Sequence, residues 1–257
     1  MAPAHGLPTI NRVNLAAPFE WLAGAWGDLF KAPITLLLYG LVLALASYWL
    51  SAMLIDSDLA FWVLALTCGF VFLAPMLAMG LYEAGRRIER GQRPTFGAVF
   101  FVRDALRQDV AYLGLALLLI YLLWGRIAQI VYGLSTYRLH RTVDEFLAFA
   151  IGTPEGHAML ISGAIVGGII AFFTYCLVVV SAPMLLDRRA NVFAAALTSF
   201  RAVSGNFAPM LLWAALIVFF LLLAAATGFL ALTIIFPWLG LASWRAYRAL
   251  VRDAAPA

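Results

Sequence analysis

Long apolar runs alternate with short polar segments along the whole chain. Six runs reach or exceed the roughly 20 residues that a helix needs to cross a bilayer. They cover residues 33–55, 59–82, 110–134, 159–186, 207–226 and 228–248. Each run is predicted to be a transmembrane helix, because lipid cannot bind backbone groups and the alternating pattern of barrel strands is absent. Only the turn signal Thr227-Gly228 separates the last two runs.

The second helix of each predicted hairpin carries a proline in a similar setting. "APML" occurs at 74–77 and 182–185, and "FPWL" occurs at 236–239, each soon followed by arginines. Another copy of "APML", at 208–211, lies at the start of its helix, where a proline is tolerated. We expect the first three positions to be equivalent and the fourth to be a coincidence.

Moderately amphipathic stretches precede the three hairpins, at residues 15–30, 95–107 and 192–203. Such stretches are typical of helices that lie in the membrane interface. The sequence therefore predicts an all-α fold built from three copies of one unit, an interfacial helix followed by a helical hairpin. Residues 14–252 form the single membrane domain in this prediction, between a flexible tail at 1–13 and a second tail at 253–257.

Composition and charge give this domain an orientation. The chain is 65% hydrophobic and 12% charged, whereas soluble domains have roughly 45–50% apolar and about 25% charged residues. Of the 17 basic residues, all but Arg126, Arg138 and Arg141 fall on one side of the predicted membrane. The positive-inside rule then places both termini in the cytoplasm of a bacterial inner membrane. Membrane lipids, and not nucleic acid, are the expected partners of these arginines.

Three prolines are candidates for helix kinks: Pro75, Pro183 and Pro237. A proline inside a helix removes one backbone hydrogen bond and bends the axis. Two interpretations stay open, because the bends could serve helix packing or could open a vestibule on the cytoplasmic side.

Charged residues gather where the apolar runs end on that side. The candidates for a polar cluster at the cytoplasmic mouth are Glu83, Arg86, Asp187, Arg188, Arg245 and Arg248. Ion-paired helix ends and a polar ring around a vestibule both fit this pattern. Gly163 and Gly167 have the spacing that lets helices approach closely, either within the chain or in a dimer.

Residues for catalysis are missing from the predicted membrane interior. It contains no charged residue and no histidine, although these groups carry protons and ions in pumps and transporters. Nucleophile, phosphate-loop and zinc-protease motifs are absent as well. In the loop at 135–158, Thr142 and Glu145 form a predicted capping box, and the acidic residues lack metal-ligand spacing around His140 and His157. The sequence predicts no catalytic, cofactor-binding or metal-binding residue.

Several stretches together resemble a known family. They include "GLYEAGRRIERGQRP", "TPEG", "VVSAPMLLDRR" and "PWLGLASWRAYR". The chain resembles a bacterial family of predicted integral membrane proteins, defined as a domain of unknown function, over about residues 10–252. Some members carry the label cytochrome c oxidase subunit I. The resemblance implies a six-helix inner-membrane protein without an established activity. Members of the family have histidines near the last motif, where this chain has Leu241 and Arg245.

The oxidase label can be tested on the histidines. A haem-copper catalytic subunit needs several histidine ligands within its helices, and the three histidines of this chain lie outside the predicted spans. We therefore predict a non-enzymatic scaffold or accessory factor, with another membrane protein or a respiratory complex as a possible partner. The alternative is a channel or carrier for a neutral or lipid-like solute. No cofactor is expected.

Overall fold

A computed structural model of the protein describes residues 7–57 and 59–252. Among these residues, four helical segments are long and apolar enough to cross a membrane. They are α2 (Pro33–Asp56), α6 (Gln108–Ser135), α8 (Pro154–Val178) with its continuation α9 (Ser181–Asp187), and α11 (Phe207–Ala226).

A fifth span is formed by two helices that meet at a bend. Helix α3 (Ala60–Leu77) and helix α4 (Met79–Glu89) meet at 41° around Ala78, and together they are apolar enough to count as one span. Pro75 lies in the last turn of α3. Its missing amide leaves the carbonyl group of Val71 without the usual helical donor.

The other two prolines have different local effects. Pro183 lies in α9, and its missing amide faces the carbonyl group of Val179, where α8 gives way to α9. Helices α8 and α9 still count together as one span of 34 residues. Pro237 lies inside α12 (Leu232–Leu250), which continues past it as one helix.

The run at 228–248 differs from its prediction at both ends. The chain turns after α11 with positive φ angles at Gly228 and Phe229, so that α12 begins only at Leu232. At its other end α12 continues through Arg245 and Arg248 to Leu250. With fewer apolar residues and two arginines, α12 is not among the spans recognised by length and composition within the described residues.

Shorter helices surround these segments. Three of them occupy the stretches predicted to lie in the interface: α1 (Ala17–Leu29), α5 (Phe96–Phe100) with a 3-10 turn at Arg103–Leu106, and α10 (Val192–Gly205). Helix α7 (Val143–Gly152) lies in the loop between α6 and α8, and it begins with the predicted capping box of Thr142 and Glu145.

The described ends of the chain meet. Strand β1 (Thr9–Ile10) pairs antiparallel with β2 (Val251–Arg252). Asn206, at the end of α10, adds two bonds: its Oδ1 accepts from the amide of Val13 at 2.8 Å, and its Nδ2 donates to the carbonyl of Asn11 at 3.0 Å. Residues 7–13 of the predicted tail are thus fastened to the domain, whereas 1–6 and 253–257 lie outside the described residues.

The tightest packing surrounds α12. A methyl group added at Gly40 of α2 would overlap the carbonyl oxygen of Thr233, and one added at Gly85 of α4 would overlap the ring of Trp244. Gly240 of α12 lies equally close to Leu81. These glycines let α2 and α4 approach α12 at backbone distance. We call the part of the molecule that contains α1, α2, α4, α9 and α12 the arginine-rich half. The ends of α4, α9 and α12 carry most of the ion pairs in this half.

Candidate functional site

A large apolar cavity of about 400 Å³ lies between the helices. We call it the outer cavity; it lies between α3, α6, α8 and α11, away from the arginine-rich half. Its walls include Ala65 and Cys68 of α3, Trp124 of α6, Gly168 of α8 and Leu222 of α11. The volume falls within the range of roughly 300–1,000 Å³ that is usual for ligand pockets.

Small residues on α8 create this space. Gly167 lies directly against the ring of Trp124, whereas a methyl group at Gly168 would meet nothing within 4 Å. The indole of Trp124 is fixed from the other side, because its Nε1 donates to the carbonyl oxygen of Ala65 at 2.8 Å. Cys68 and Gly168 are both exposed, so the cavity opens sideways between α3 and α8. Because α3 and α8 belong to apolar candidate spans, we expect an opening between them to face the lipid phase.

No charged residue lines the outer cavity. Thr67 and Cys68 supply the polar side-chain atoms of its wall, and the other lining residues are apolar or glycine. Burying an ion without a partner is very costly, so this lining selects against charged molecules. It suits a hydrocarbon chain.

A smaller cavity of about 90 Å³ continues the outer one toward the arginine-rich half. We call it the inner cavity. The two share four lining residues: Val71, Phe72, Ala171 and Leu221. The inner cavity runs along the bend between α3 and α4, where Pro75, Ala78 and Tyr82 line it, and reaches Ser243 of α12. We call the two adjoining cavities together the crevice; its outer part opens between α3 and α8, and its inner part lies beside Tyr82.

Tyr82 is the unusual group at the inner end of the crevice. Its side chain is buried, with 4% exposure, and its hydroxyl makes no hydrogen bond with any described residue. Tyr175 on the opposite wall donates to the carbonyl of Met210 at 2.7 Å. Ser243 likewise donates to the carbonyl of Leu239 at 2.8 Å. Tyr82 therefore contributes a free hydroxyl to an otherwise apolar site.

Next to Tyr82 begins a network of charges. Glu83 is buried and accepts from both Arg86 and Arg87, each at 2.7 Å from the guanidinium Nε. Arg86 also contacts Asp104 at 2.9 Å and donates to the carbonyl of Leu186 at 3.2 Å. These bonds tie α4 to the 3-10 turn and to α9.

Leu186 is followed in the chain by Asp187, which belongs to the second part of the network. Tyr247 of α12 donates to Asp187 at 2.8 Å and accepts from Arg188 at 2.9 Å. Arg248 pairs with Glu89 at 2.9 Å and lies 3.5 Å from Asp187. Five of the six residues of the predicted polar cluster thus belong to one network, which begins at Glu83, next to Tyr82 in the chain.

Arg245, the sixth residue, lies apart from the other five. Its Nε contacts Asp28 of α1 at 2.6 Å, and Lys31 contacts the same carboxylate at 2.7 Å. Burial would raise the pKa of Asp28, but the hydrogen bonds from Arg245 and Lys31 outweigh burial and hold that pKa below its ordinary value. Asp28 and Arg245 are 217 positions apart in the sequence, so no local pattern could have paired these two residues.

Gly163 and Gly167 both face α6. Gly167 lies against Trp124, and Gly163 lies near Val131. Both glycines also line the outer cavity. In the described chain they therefore contribute to packing between α6 and α8 and to the wall of the cavity.

The loop residues near the opposite end are engaged separately. His140 contacts the hydroxyl of Tyr132 at 2.9 Å and stacks on Phe149, while a ring nitrogen of His157 lies 2.9 Å from the carbonyl oxygen of Ile151. Within residues 7–57 and 59–252, no group of three or more His, Cys, Asp or Glu side chains is placed to hold a metal ion.

Sequence reasoning missed the residues that matter most for the crevice. Tyr82 lies in "GLYEAGRR", where it looks like an ordinary interfacial tyrosine. Its neighbour Glu83 was predicted to belong to the polar cluster, but Tyr82 was not. The spacing of Gly168 with Gly163 and Gly167 indicated a small-residue surface for packing, but not a cavity wall. Tyr247 and the pair formed by Asp28 and Arg245 gave no signal, because these partners are distant in sequence.

These features define a polytopic helical membrane protein with a lipid-facing crevice. Residues 63–187, from α3 to the end of α9, match the model of a family described as "Predicted integral membrane protein (DUF2189)". This match confirms the resemblance seen in the sequence, over a shorter range than 10–252. No curated protein and no solved structure matches the chain.

Proposed function

We propose that this integral membrane protein binds a neutral, lipid-like molecule in the crevice formed by the outer and inner cavities, without catalysing a reaction on it. The observation that carries this proposal is the uncharged lining of a cavity of about 400 Å³. Each methylene group that leaves water for such a site contributes about 0.8 kcal/mol. A molecule that is already dissolved in the membrane gains less, so its selection depends on fit and on polar contacts.

The proposal favours the carrier alternative of the sequence analysis in a restricted form. A polar solute would need a continuous row of polar groups, and the crevice offers few. The ion-paired residues at its inner end, among them Glu83 and Arg86, would block a pore for such a solute. A lipid-like molecule could enter from the side between α3 and α8.

The experiment compares two glycines on neighbouring helices. Gly168→Leu would place a side chain in the outer cavity, whereas Gly133→Leu would add the same side chain to an exposed surface of α6. After purification in a mild detergent, native mass spectrometry should show one retained lipid-like molecule on the wild type and on Gly133→Leu, and much less on Gly168→Leu. Equal retention by all three proteins, or none by the wild type, would overturn the proposal.

A scaffold or accessory role stays the second candidate. Arg90, Arg93 and Arg189 are exposed and form no ion pair with the residues that the structure describes. They could bind anionic lipid headgroups or acidic residues of another membrane protein, including one in a respiratory complex. Recovery of a stoichiometric partner in mild detergent, and its loss after Arg90→Ala with Arg93→Ala, would support this role. Repeated recovery of the protein alone would count against it.

The proposed topology has six spans, with α12 as the sixth. Its 19 residues extend over roughly 28 Å at about 1.5 Å per residue, close to the roughly 30 Å of the hydrocarbon core. Because α12 is largely buried among other helices, it needs fewer apolar residues than a span that faces lipid. Three units of interfacial helix and hairpin would then be related by a repeat, with both termini in the cytoplasm of a bacterial inner membrane.

Reporter fusions can test this topology. A reporter that is active only in the cytoplasm should be active when it is fused after Asn11 or after Arg252. A reporter that is active only outside the cytoplasm should be active when it is inserted in the loop at 136–142. Opposite locations of the two terminal fusions would contradict six spans.

A further inference from the structure

We infer that the molecule bound in the crevice carries a neutral polar head, such as a hydroxyl or carbonyl group, which forms a hydrogen bond with Tyr82. This inference rests on the proposed function and specifies its ligand. The head would lie in the inner cavity and the hydrocarbon chain in the outer cavity.

The hydroxyl of Tyr82 is the first reason. The hydroxyl of a largely buried tyrosine normally finds a hydrogen-bond partner. Three other tyrosines of this chain follow that rule: Tyr39 donates to the carbonyl of Leu77, Tyr175 to that of Met210, and Tyr247 to Asp187. Tyr82 is 4% exposed and has no such partner in the described chain. A ligand atom would complete its bonding.

The shape of the crevice is the second reason. The inner cavity measures about 90 Å³ and the outer one about 400 Å³. Tyr82 lines the small space, and the lining of the large space contains almost no polar side chain. An amphiphile with a small polar head and a long hydrocarbon chain fits these cavities, with its head in the inner cavity and its chain in the outer cavity.

The surrounding charges exclude an ionic head. Glu83 follows Tyr82 in the chain but is occupied by Arg86 and Arg87 at 2.7 Å. The other polar side chains of the inner cavity, those of Thr174, Tyr175 and Ser243, already donate to backbone carbonyls. An anionic head would lie there without a cation to pair with it, which is costly in an apolar site. A neutral head needs only the one bond that Tyr82 can supply.

The test uses four photoactivatable probes of equal chain length: an alkane, a methyl ketone, a primary alcohol and a fatty-acid carboxylate. Each carries a diazirine in the chain and is added to the full-length protein in lipid nanodiscs. We expect the ketone and the alcohol to label the crevice about 2- to 10-fold more than the alkane, as one net hydrogen bond provides. The carboxylate should label least.

Tyr82→Phe removes the hydroxyl and keeps the ring. We expect it to abolish the preference for the ketone and the alcohol while labelling by the alkane stays unchanged. Ser243→Ala is the matched control, because its hydroxyl lies in the same cavity but bonds within its own helix; it should keep the preference.

The outcomes separate the two proposals. If no probe labels residues of the crevice, the proposed function fails and this inference fails with it. If all probes label the crevice equally in the wild type, an apolar molecule binds there without a specific head, and only this inference is overturned. If Tyr82→Phe lowers labelling by every probe to the same extent, Tyr82 acts by packing alone, which also overturns it.

Discussion

The two halves of the molecule are packed in different ways. In the arginine-rich half, one large core joins α1, α2, α4, α9 and α12 and extends into parts of α6, α8, α10 and α11, and Gly40 brings the backbones of α2 and α12 into contact. The opposite half has two small clusters, one around Tyr132 and Phe146 and the other around Phe72 and Trp124. The outer cavity adjoins both clusters. Stability is thus expected to come mainly from one half, and binding from the other.

The difference in packing between the two halves explains why ion pairs occur in the arginine-rich half and not in the walls of the outer cavity. Ion pairs are strong in a closely packed, partly buried region and need fixed geometry. Glu83 and Asp28 obtain that geometry from α4, α9 and α12, whose backbones are held in place by tight packing. A loosely packed region could not orient such pairs, and the walls of the outer cavity contain none.

The largest effect is expected from Glu83→Ala in the arginine-rich half. The substitution leaves Arg86 and Arg87 without their shared carboxylate in a partly buried place. Because Arg86 keeps Asp104 and Arg87 is partly exposed, we expect a loss at the lower end of the range for breaking a buried ion pair, about 3 kcal/mol. Unfolding by denaturant in detergent should show this loss in the free energy of unfolding. Glu20→Ala, at an exposed position of α1, is the control and should change it by less than about 1 kcal/mol. Similar losses in both variants would remove the contrast between the two halves.

A smaller effect is expected from Gly40→Ala. The added methyl group would overlap the carbonyl oxygen of Thr233 and push α2 away from α12. Overpacking of this kind typically costs about 1–3 kcal/mol. Gly133→Ala adds the same group where nothing lies within 4 Å, and should leave stability equal or slightly higher, since alanine favours helix formation. Thermal unfolding of the two variants measures the difference. No loss at Gly40 would mean that α2 and α12 pack less tightly than described.

The smallest effect concerns pH. The pKa of Asp28 is held below its ordinary value of 3.8 by Arg245 and Lys31. A carboxyl group with a lowered folded pKa contributes stability above its unfolded pKa and loses it as pH falls through the folded pKa. We therefore expect the wild type to lose stability below about pH 4 more steeply than Asp28→Asn does. Parallel curves for the two proteins would show that the contacts with Arg245 and Lys31 do not stabilise the charged form.

The sequence predicted the features that depend on local pattern. The apolar runs, the interfacial helices and the capping box of Thr142 rest on composition and on spacing within a few residues, and the structure contains helices at each of these places. The sixth run is different. Its turn at Gly228 was signalled by the sequence, whereas the burial of α12 among neighbouring helices depends on tertiary packing, which the sequence does not display.

The sequence predicted only a few of the residues around the candidate site, and it did not predict the cavities themselves. Charges near the helix ends indicated a polar cluster, and Pro75 and Gly167 proved to line cavities. A cavity, however, is the absence of side chains between helices, and it depends on how α3, α6, α8 and α11 are arranged in space. The free hydroxyl of Tyr82 is equally invisible in sequence, because it is defined by the lack of a partner in the folded chain.

Density for the protein in lipid nanodiscs would test the central claim most directly. If the crevice binds a lipid-like molecule, one elongated density should run from the opening at Cys68 and Gly168, past Trp124, to within hydrogen-bond distance of the hydroxyl of Tyr82. Helices α3 and α8 packed together without a space between them would contradict the claim. So would a crevice whose density is no stronger than that of the surrounding lipid.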